Sequence, residues 1–252
     1  MRILFYDIET APNTSYIWGK YEQDSLGNLQ DWYMLSFAAK WYGDNKVISY
    51  GLPDFRDYKK NPTNDKELVR KLWELIDEAD VIVAHNGDDF DNKKANARFV
   101  YHGFTPPSPY KTIDTKKIAK RYFRFDSNKL TDIGKYLNLG QKVETGGFSL
   151  WVGCMSGDKN AWRKMIKYNR QDVVLLEKIY EVFKPWIRNH PNVNALSGRT
   201  NACPTCGSKH LQSRGYMVSK ASPTKTQRFQ CQSCGAWSHQ KAEKVEITHR
   251  SY

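Results

Sequence analysis

The chain opens on an unbroken apolar run, Ile3-Leu-Phe-Tyr6, that ends in acids at Asp7 and Glu9, the pattern of a buried β-strand. The two-residue period of a strand puts Asp7 and Glu9 on one face. After a loop containing Pro12 and Gly19, the stretches 32–41 and 46–50 are rich in aromatic and β-branched residues. They flank Gly43-Asp-Asn, which predicts an antiparallel hairpin. Leu68, Leu72, Leu75 and Ile76 recur at helical spacing and predict a helix over 65–78, and Val81-Ile-Val-Ala84 reads as a short apolar strand. A helix beginning near Asp89, a strand over 111–114 and helical stretches around 116–122 and 130–137 follow. The last long helix is predicted over 159–182, with Met165, Val173, Leu176 and Ile179 on its apolar stripe. Strands first, then alternating helix and strand, predict an α/β domain with a mixed sheet over residues 1–190. From Pro191 the periodicity gives way to Asn, Pro, Ser and Gly, which marks a linker over 191–200 ahead of a small module over 201–252.

Composition narrows the classes. With 252 residues, 40% of them hydrophobic, the chain is long enough for one substantial core and a satellite beside it. No stretch approaches the roughly 18 to 20 uninterrupted apolar residues of a bilayer span, and the opening run is too short for a signal peptide. The expected location is therefore the cytoplasm, of a bacterium or of a viral host. A formal charge of +12 favours a polyanionic partner, nucleic acid first, through counterion release. The module from Pro191 onward is disproportionately basic, with nine Lys and Arg against two acids.

Four of the five cysteines lie in that module, as Cys203-Pro-Thr-Cys206 and Cys231-Gln-Ser-Cys234, each pair followed by glycine (Gly207, Gly235). Two such pairs supply four soft thiolates for one tetrahedral, structural Zn²⁺, and a zinc-ribbon β-hairpin is the expected fold. The long spacing between the pairs is absorbed by a lengthened connection around Ala221-Ser-Pro-Thr224. Disulfides or redox chemistry are the alternatives. Cys154, alone, reads as an apolar filler.

Three acidic segments carry the candidate chemistry: Asp7-Ile-Glu9, then Asn86 to Asp91 after the second apolar strand, then Tyr168-Asn-Arg-Gln-Asp172 in the long helix. The last pair falls on one helix face at spacing i, i+4. In this order the segments resemble the DEDD superfamily of 3′-to-5′ exonucleases, which have a ribonuclease H-like fold, a mixed β-sheet flanked by helices. Tyr168 and Asp172 resemble the tyrosine branch, since Lys167 stands where the histidine branch has His. The proofreading-exonuclease domains of family B DNA polymerases are the more similar group, and Ser127 to Leu137 looks like a helix they place between the second and third motifs. No polymerase domain follows the resemblance, which covers roughly residues 1 to 185, and Asp88 and Asp89 leave the choice of the metal-facing aspartate to alignment of Phe90-Asp91.

The resemblance implies two Mg²⁺ or Mn²⁺ ions, with Asp7, Glu9 and Asp172 at the ion that activates water, Asp7 bridging to the second, and Asp91 serving the second mainly through water. Tyr168 would orient the attacking water, because a phenol with pKa near 10 is a poor base. Clustered carboxylates agree with this, since they repel one another unless cations reverse the balance. Thr10 and Asn86 are candidates to bind the substrate, or serve as a strand-end cap and a turn; Tyr16 and Trp18 are candidates to stack on terminal bases, or to pack in the core. His85 reads as a structural histidine. The implied activity is a 3′-to-5′ exonuclease on single-stranded DNA or the 3′ ends of duplex DNA, of use in DNA replication or repair. RNA is the alternative substrate, and a non-catalytic adaptor the alternative role. In the cysteine module Lys209, His210, Arg214, Lys220, Lys225 and Arg228 surround Tyr216, Phe229 and Trp237, which suits single strands.

Overall fold

The computed structural model describes residues 1–21, 24–140, 146–195, 198–218 and 224–244. They form two compact units: Arg2–Tyr180, and Glu181–Tyr252 together with Met1. Along the chain run β1 (Ile3–Thr10), β2 (Thr14–Tyr16), β3 (Gly27–Gln30), β4 (Met34–Trp41), β5 (Val47–Gly51), α1 (Lys66–Asp77), β6 (Val81–Ala84), α2 (Asp91–Tyr101) and β7 (Lys111–Asp114). They are followed by α3 (Thr115–Tyr122), α4 (Leu130–Tyr136), α5 (Ser149–Met155) and α6 (Lys159–Phe183), then by β8 (Leu211–Val218), β9 (Thr224–Cys231), β10 (Trp237–His239) and β11 (Glu243–Lys244). No helix is long and apolar enough to cross a membrane among the described residues.

The larger unit is built on a mixed sheet in the order β5-β4-β1-β6-β7, with helices accounting for the remaining layers. β4 and β5 form the expected antiparallel hairpin, and β4 pairs antiparallel with β1; β6 lies parallel to both β1 and β7. β1 is therefore the middle strand, and its Leu4, Phe5 and Tyr6 have no exposed surface because both faces of the sheet are covered. On α1, Leu68, Val69, Leu72 and Ile76 are buried, as their helical spacing requires. α4 approaches α6 so closely that a Cβ at Gly134 would stand 2.9 Å from the Leu175 methyl carbons, so glycine is needed there.

Two elements depart from the reading of the sequence. The expected loop after β1 contains a second hairpin, β2 and β3, whose residues are nearly all exposed. With no face to bury, it leaves no apolar alternation to detect. α5 also went unread, because its seven residues make only about two turns before the Gly157 turn, too few to establish a period. It carries Cys154, which is buried among core residues and whose thiol burial pushes up to about 12, as a filler requires.

In the smaller unit β9 pairs antiparallel with β8, β10 and β11, so the ribbon is a four-stranded sheet around one hairpin. Lys220 and the connection at Ala221, Ser222 and Pro223 lie outside the described residues.

Candidate active site and cysteine centre

The acids of β1 emerge where the strand leaves the core: Tyr6 is fully buried, whereas Asp7 and Glu9 are half-buried. Beyond β6 the chain reverses at Asn86, which takes the left-handed φ of 70° that asparagine tolerates better than most residues. The Asn86 carbonyl accepts from the amides of Asp89 (3.2 Å) and Phe90 (3.0 Å), and this turn delivers Asp91 to the start of α2. There Asp91 Oδ1 accepts from the Ile8 amide at 3.1 Å, the residue between Asp7 and Glu9. Asp88 and Asp89 turn the other way, pairing with Lys117 at 3.0 and 3.7 Å.

α6 supplies the third side. The Tyr168 hydroxyl is hydrogen-bonded to the Asp172 carboxylate one turn on, and the charges of Glu9 and Asp7 also act on it. Asn169, fully buried, donates from Nδ2 to Asp7 Oδ2 at 2.6 Å and to the Asp7 carbonyl at 3.2 Å, while its Oδ1 accepts from Ser36 at 3.2 Å. It thus ties helix, acid and neighbouring strand together. Inside a helical stripe of buried residues it gave no signal of its own. Asp114, at the end of β7, is a second residue that sequence reasoning missed. Its carboxylate caps α3 through the Lys116 (2.9 Å) and Lys117 (3.2 Å) amides and accepts from the Asn86 (3.0 Å) and Asp88 (3.3 Å) amides, so one side chain shapes the whole turn.

Burial and mutual repulsion act on these acids together. Desolvation raises the Asp7 carboxyl well above the usual range, and the charges of Asp91, Glu9 and Asp172 add to it, against the Asn169 hydrogen bond. Burial pushes Asp91 up to about 7 despite the Ile8 amide. Burial and then Asp172 raise the Tyr168 phenol, so it serves as a hydrogen-bonding group rather than a base. Carboxylates that resist ionisation together fit divalent cations, whose charge would relieve the repulsion.

Thr10 lines a cavity of about 570 Å³ with Trp32, Lys94, Phe148 and Trp151, and the Trp151 ring lies 6.3 Å from that of Tyr168. These aromatics were missed because tryptophan defaults to core packing. Trp18, by contrast, is 83% exposed beside the β2–β3 hairpin and is not among the residues lining this cavity. His85 is held at both ring nitrogens, by Thr115 Oγ1 and the Asn128 carbonyl, each at 2.9 Å, in keeping with a structural residue.

In the smaller unit the sulfurs of Cys203, Cys206, Cys231 and Cys234 lie within 4.8 Å of one another. The two pairs sit on matching turns: the Gly207 amide donates to the Cys203 carbonyl (2.8 Å) and the Gly235 amide to that of Cys231 (2.9 Å). Both glycines are left-handed, at φ 76° and 78°, where a side chain would be strained. Sulfur contacts of 3.7 Å, Cys203 to Cys234 and Cys206 to Cys231, are far longer than a disulfide, and all four thiols are free. Burial raises Cys231, but the amides of Cys234 and Ser233 and its neighbouring cysteines bring it down to about 7. The group fits a zinc ribbon and can bind zinc. On this sheet Tyr216 and Trp237 are exposed, with Lys225 5.4 Å from the Tyr216 ring centroid and Arg228 5.9 Å from that of Trp237.

A family model described as RNase_H superfamily matches residues 30–184, which takes in Asp91, Tyr168 and Asp172 and begins after Asp7 and Glu9. Among solved structures, the family B DNA polymerase from the hyperthermophilic archaeon Pyrobaculum calidifontis is similar, with a TM-score of 0.55 at 16% identity. The similarity covers 73% of this chain and 25% of the polymerase, so the chain spans about a quarter of that protein. At this identity the likeness concerns the fold. No curated protein matches the chain in sequence.

Proposed function

The chain belongs to the RNase_H superfamily, and on that premise we propose that it is a metal-dependent 3′-to-5′ exonuclease acting preferentially on single-stranded DNA. The observation that carries the proposal is the meeting of Asp7, Glu9, Asp91 and Asp172 with Tyr168 at the end of β1. Two Mg²⁺ or Mn²⁺ ions would be held by these four carboxylates, and when bound they supply the positive charge that phosphodiester hydrolysis needs on both its entering and departing oxygens.

The chain's own residues do the rest. Asn169 fixes the Asp7 carboxylate and so the geometry of the whole cluster. Tyr168, its proton retained, orients the attacking water by hydrogen bonding. Water adds to phosphorus, the bond to the 3′ oxygen of the preceding nucleotide breaks, and a proton returns to that oxygen, leaving a nucleoside 5′-monophosphate and a shortened strand. Thr10, on the cavity wall, and Asn86, at the turn, contact the terminal nucleotide. Trp18 contacts the strand from the exposed hairpin. In this reading residues 1–190 are the catalytic domain, and the ribbon over 201–252, reached through 191–200, holds one Zn²⁺ and adds affinity for nucleic acid through its paired cations and aromatics.

The test follows 5′-labelled single-stranded DNA and matched RNA with Mg²⁺, Mn²⁺ or chelator, with Asp7→Ala as control. A metal-dependent ladder shortening from the 3′ end is expected on DNA. A ladder on RNA alone would make the protein an exoribonuclease, and binding without cleavage would make it an adaptor.

A further inference from the structure

Helix α2 begins at Asp91 and continues with Lys94, Arg98 and Tyr101, at intervals of three, four and three residues, so these side chains share one stripe of the helix. The stripe runs roughly 15 Å away from the acids at 1.5 Å per residue. Lys94 lines the cavity beside Thr10, whereas Arg98 and Tyr101 line a different cavity of about 550 Å³. Trp32 lines both, and so joins them into one track.

The second cavity is built rather than incidental. Asp65, fully buried, accepts from Arg98 Nε at 2.7 Å and from the Met34 amide at 2.7 Å, and it contacts His102 Nε2 at 2.6 Å. The guanidinium is thereby fixed 4.1 Å from the Tyr101 ring centroid and 5.5 Å from that of Trp32, while Lys94 stands 3.7 Å from the Trp32 centroid. Asn61 and Asn64 complete the wall, each with its Oδ1 accepting from a neighbouring residue, Thr63 and Lys66. Their amide groups remain as hydrogen-bond donors. The pairing of Arg98 with Asp65 cancels most of its charge, so a free anion has little to hold it. Flat aromatic faces beside side-chain amides suit a nucleobase, whose ring stacks while its edge hydrogen-bonds. The volume lies within the range of ligand pockets, roughly 300 to 1,000 Å³.

We propose that this cavity is an upstream subsite, holding a base about three to four nucleotides from the 3′ end of the strand being shortened, a reach set by the roughly 10 to 15 Å that separate Arg98 and Tyr101 from Asp91 along the stripe against the rise of a stacked strand. The assignment rests on the nuclease reading of the carboxylates. It makes Trp32 and Tyr101 substrate-binding residues and Asp65 a positioning residue that acts through Arg98.

Photo-crosslinking tests the subsite without catalysis. A single strand with 5-iodouracil at about the third nucleotide from its 3′ end is bound to the full chain in chelator, irradiated, and mapped by mass spectrometry. Crosslinks at Trp32 or Tyr101 are expected; crosslinks confined to other surfaces overturn the subsite. Kinetics give the second measurement. Tyr101→Ala is expected to raise KM for a long strand by about five-fold or more relative to that for a dinucleotide, which cannot reach Tyr101, and Tyr101→Phe to restore most of the loss. A folded Tyr101→Ala variant that keeps the natural ratio overturns the subsite while leaving the exonuclease intact. Absence of hydrolysis by every form removes the nuclease reading, and the crosslink map still decides whether a strand occupies the cavity.

Discussion

The cysteine centre draws its four ligands from two short turns of identical construction, each closed by a left-handed glycine. The carboxylate centre draws its four from a central strand and the flanks of two helices, and it exists only once β1, α2 and α6 are in register. Among the described residues, only the thiols gather within 4.8 Å of one another. If both centres take the metals proposed for them, the difference is one of what each metal would be for. Among the described residues the core of the small sheet is Cys203, Cys231 and Ala236, so a zinc ion bound there would be part of the fold. The larger unit has its own core, and its acids oppose its stability through desolvation and mutual repulsion.

The largest expected effect separates the two centres. Asp7→Ala should cut hydrolysis by about a thousand-fold or more while thermal unfolding in chelator shifts little, since relief of carboxylate repulsion offsets the lost hydrogen bond from Asn169. Parallel rates and a lower melting temperature would show that Asp7 is a structural acid. Cys206→Ser should do the opposite. Zinc content falls, the ribbon loses much of the roughly 10 to 16 kcal/mol that structural zinc contributes, and nucleic-acid affinity drops, yet short oligonucleotides are still hydrolysed. Full zinc retention by elemental analysis with unchanged affinity would remove the ribbon from substrate binding.

Asn169→Ala sharpens the comparison from within the carboxylate centre. It should lower metal affinity or activity by about 10- to 100-fold and stability by about 1 to 3 kcal/mol, because Ser36 and Asp7 lose a buried partner. Titration of activity against Mg²⁺ concentration, alongside denaturant unfolding, reads both. The smallest effect lies at His85, whose pKa burial lowers. A histidine harder to protonate when folded leaves the unfolded chain as the better proton acceptor, so stability is lost as pH falls through its unfolded value near 6.5. His85→Gln should flatten that part of a stability-against-pH curve, and an unchanged slope would assign the loss to other groups.

Much of this was legible in residue order. The apolar run that ends at Asp7 and Glu9 defines a buried strand with acids at its exit, and the long helical stripe puts Tyr168 and Asp172 on one face. The limit came wherever a side chain's role depends on a partner distant in sequence. Nothing local distinguishes Asp91 from Asp88 and Asp89; the difference is that Lys117 takes the latter two and the Ile8 amide takes the first. Asn169 looks like any polar residue in a helix until Asp7 and Ser36 are brought to it. Trp32 and Trp151, distant in sequence, carry no local signal that they line one cavity with Thr10.

The place of β1 in the middle of its sheet has a dynamic consequence. Hydrogen-bonded on one side to β4 and on the other to β6, its amides are expected among the last to exchange with solvent, in the unit that opens only with global unfolding. The β2–β3 hairpin, nearly all of it exposed, has far less to hold it, and its opening is cheaper. On the nuclease reading, a strand would be shifted and released by local fluctuation of that exposed rim while Asp7 and Glu9 keep their positions.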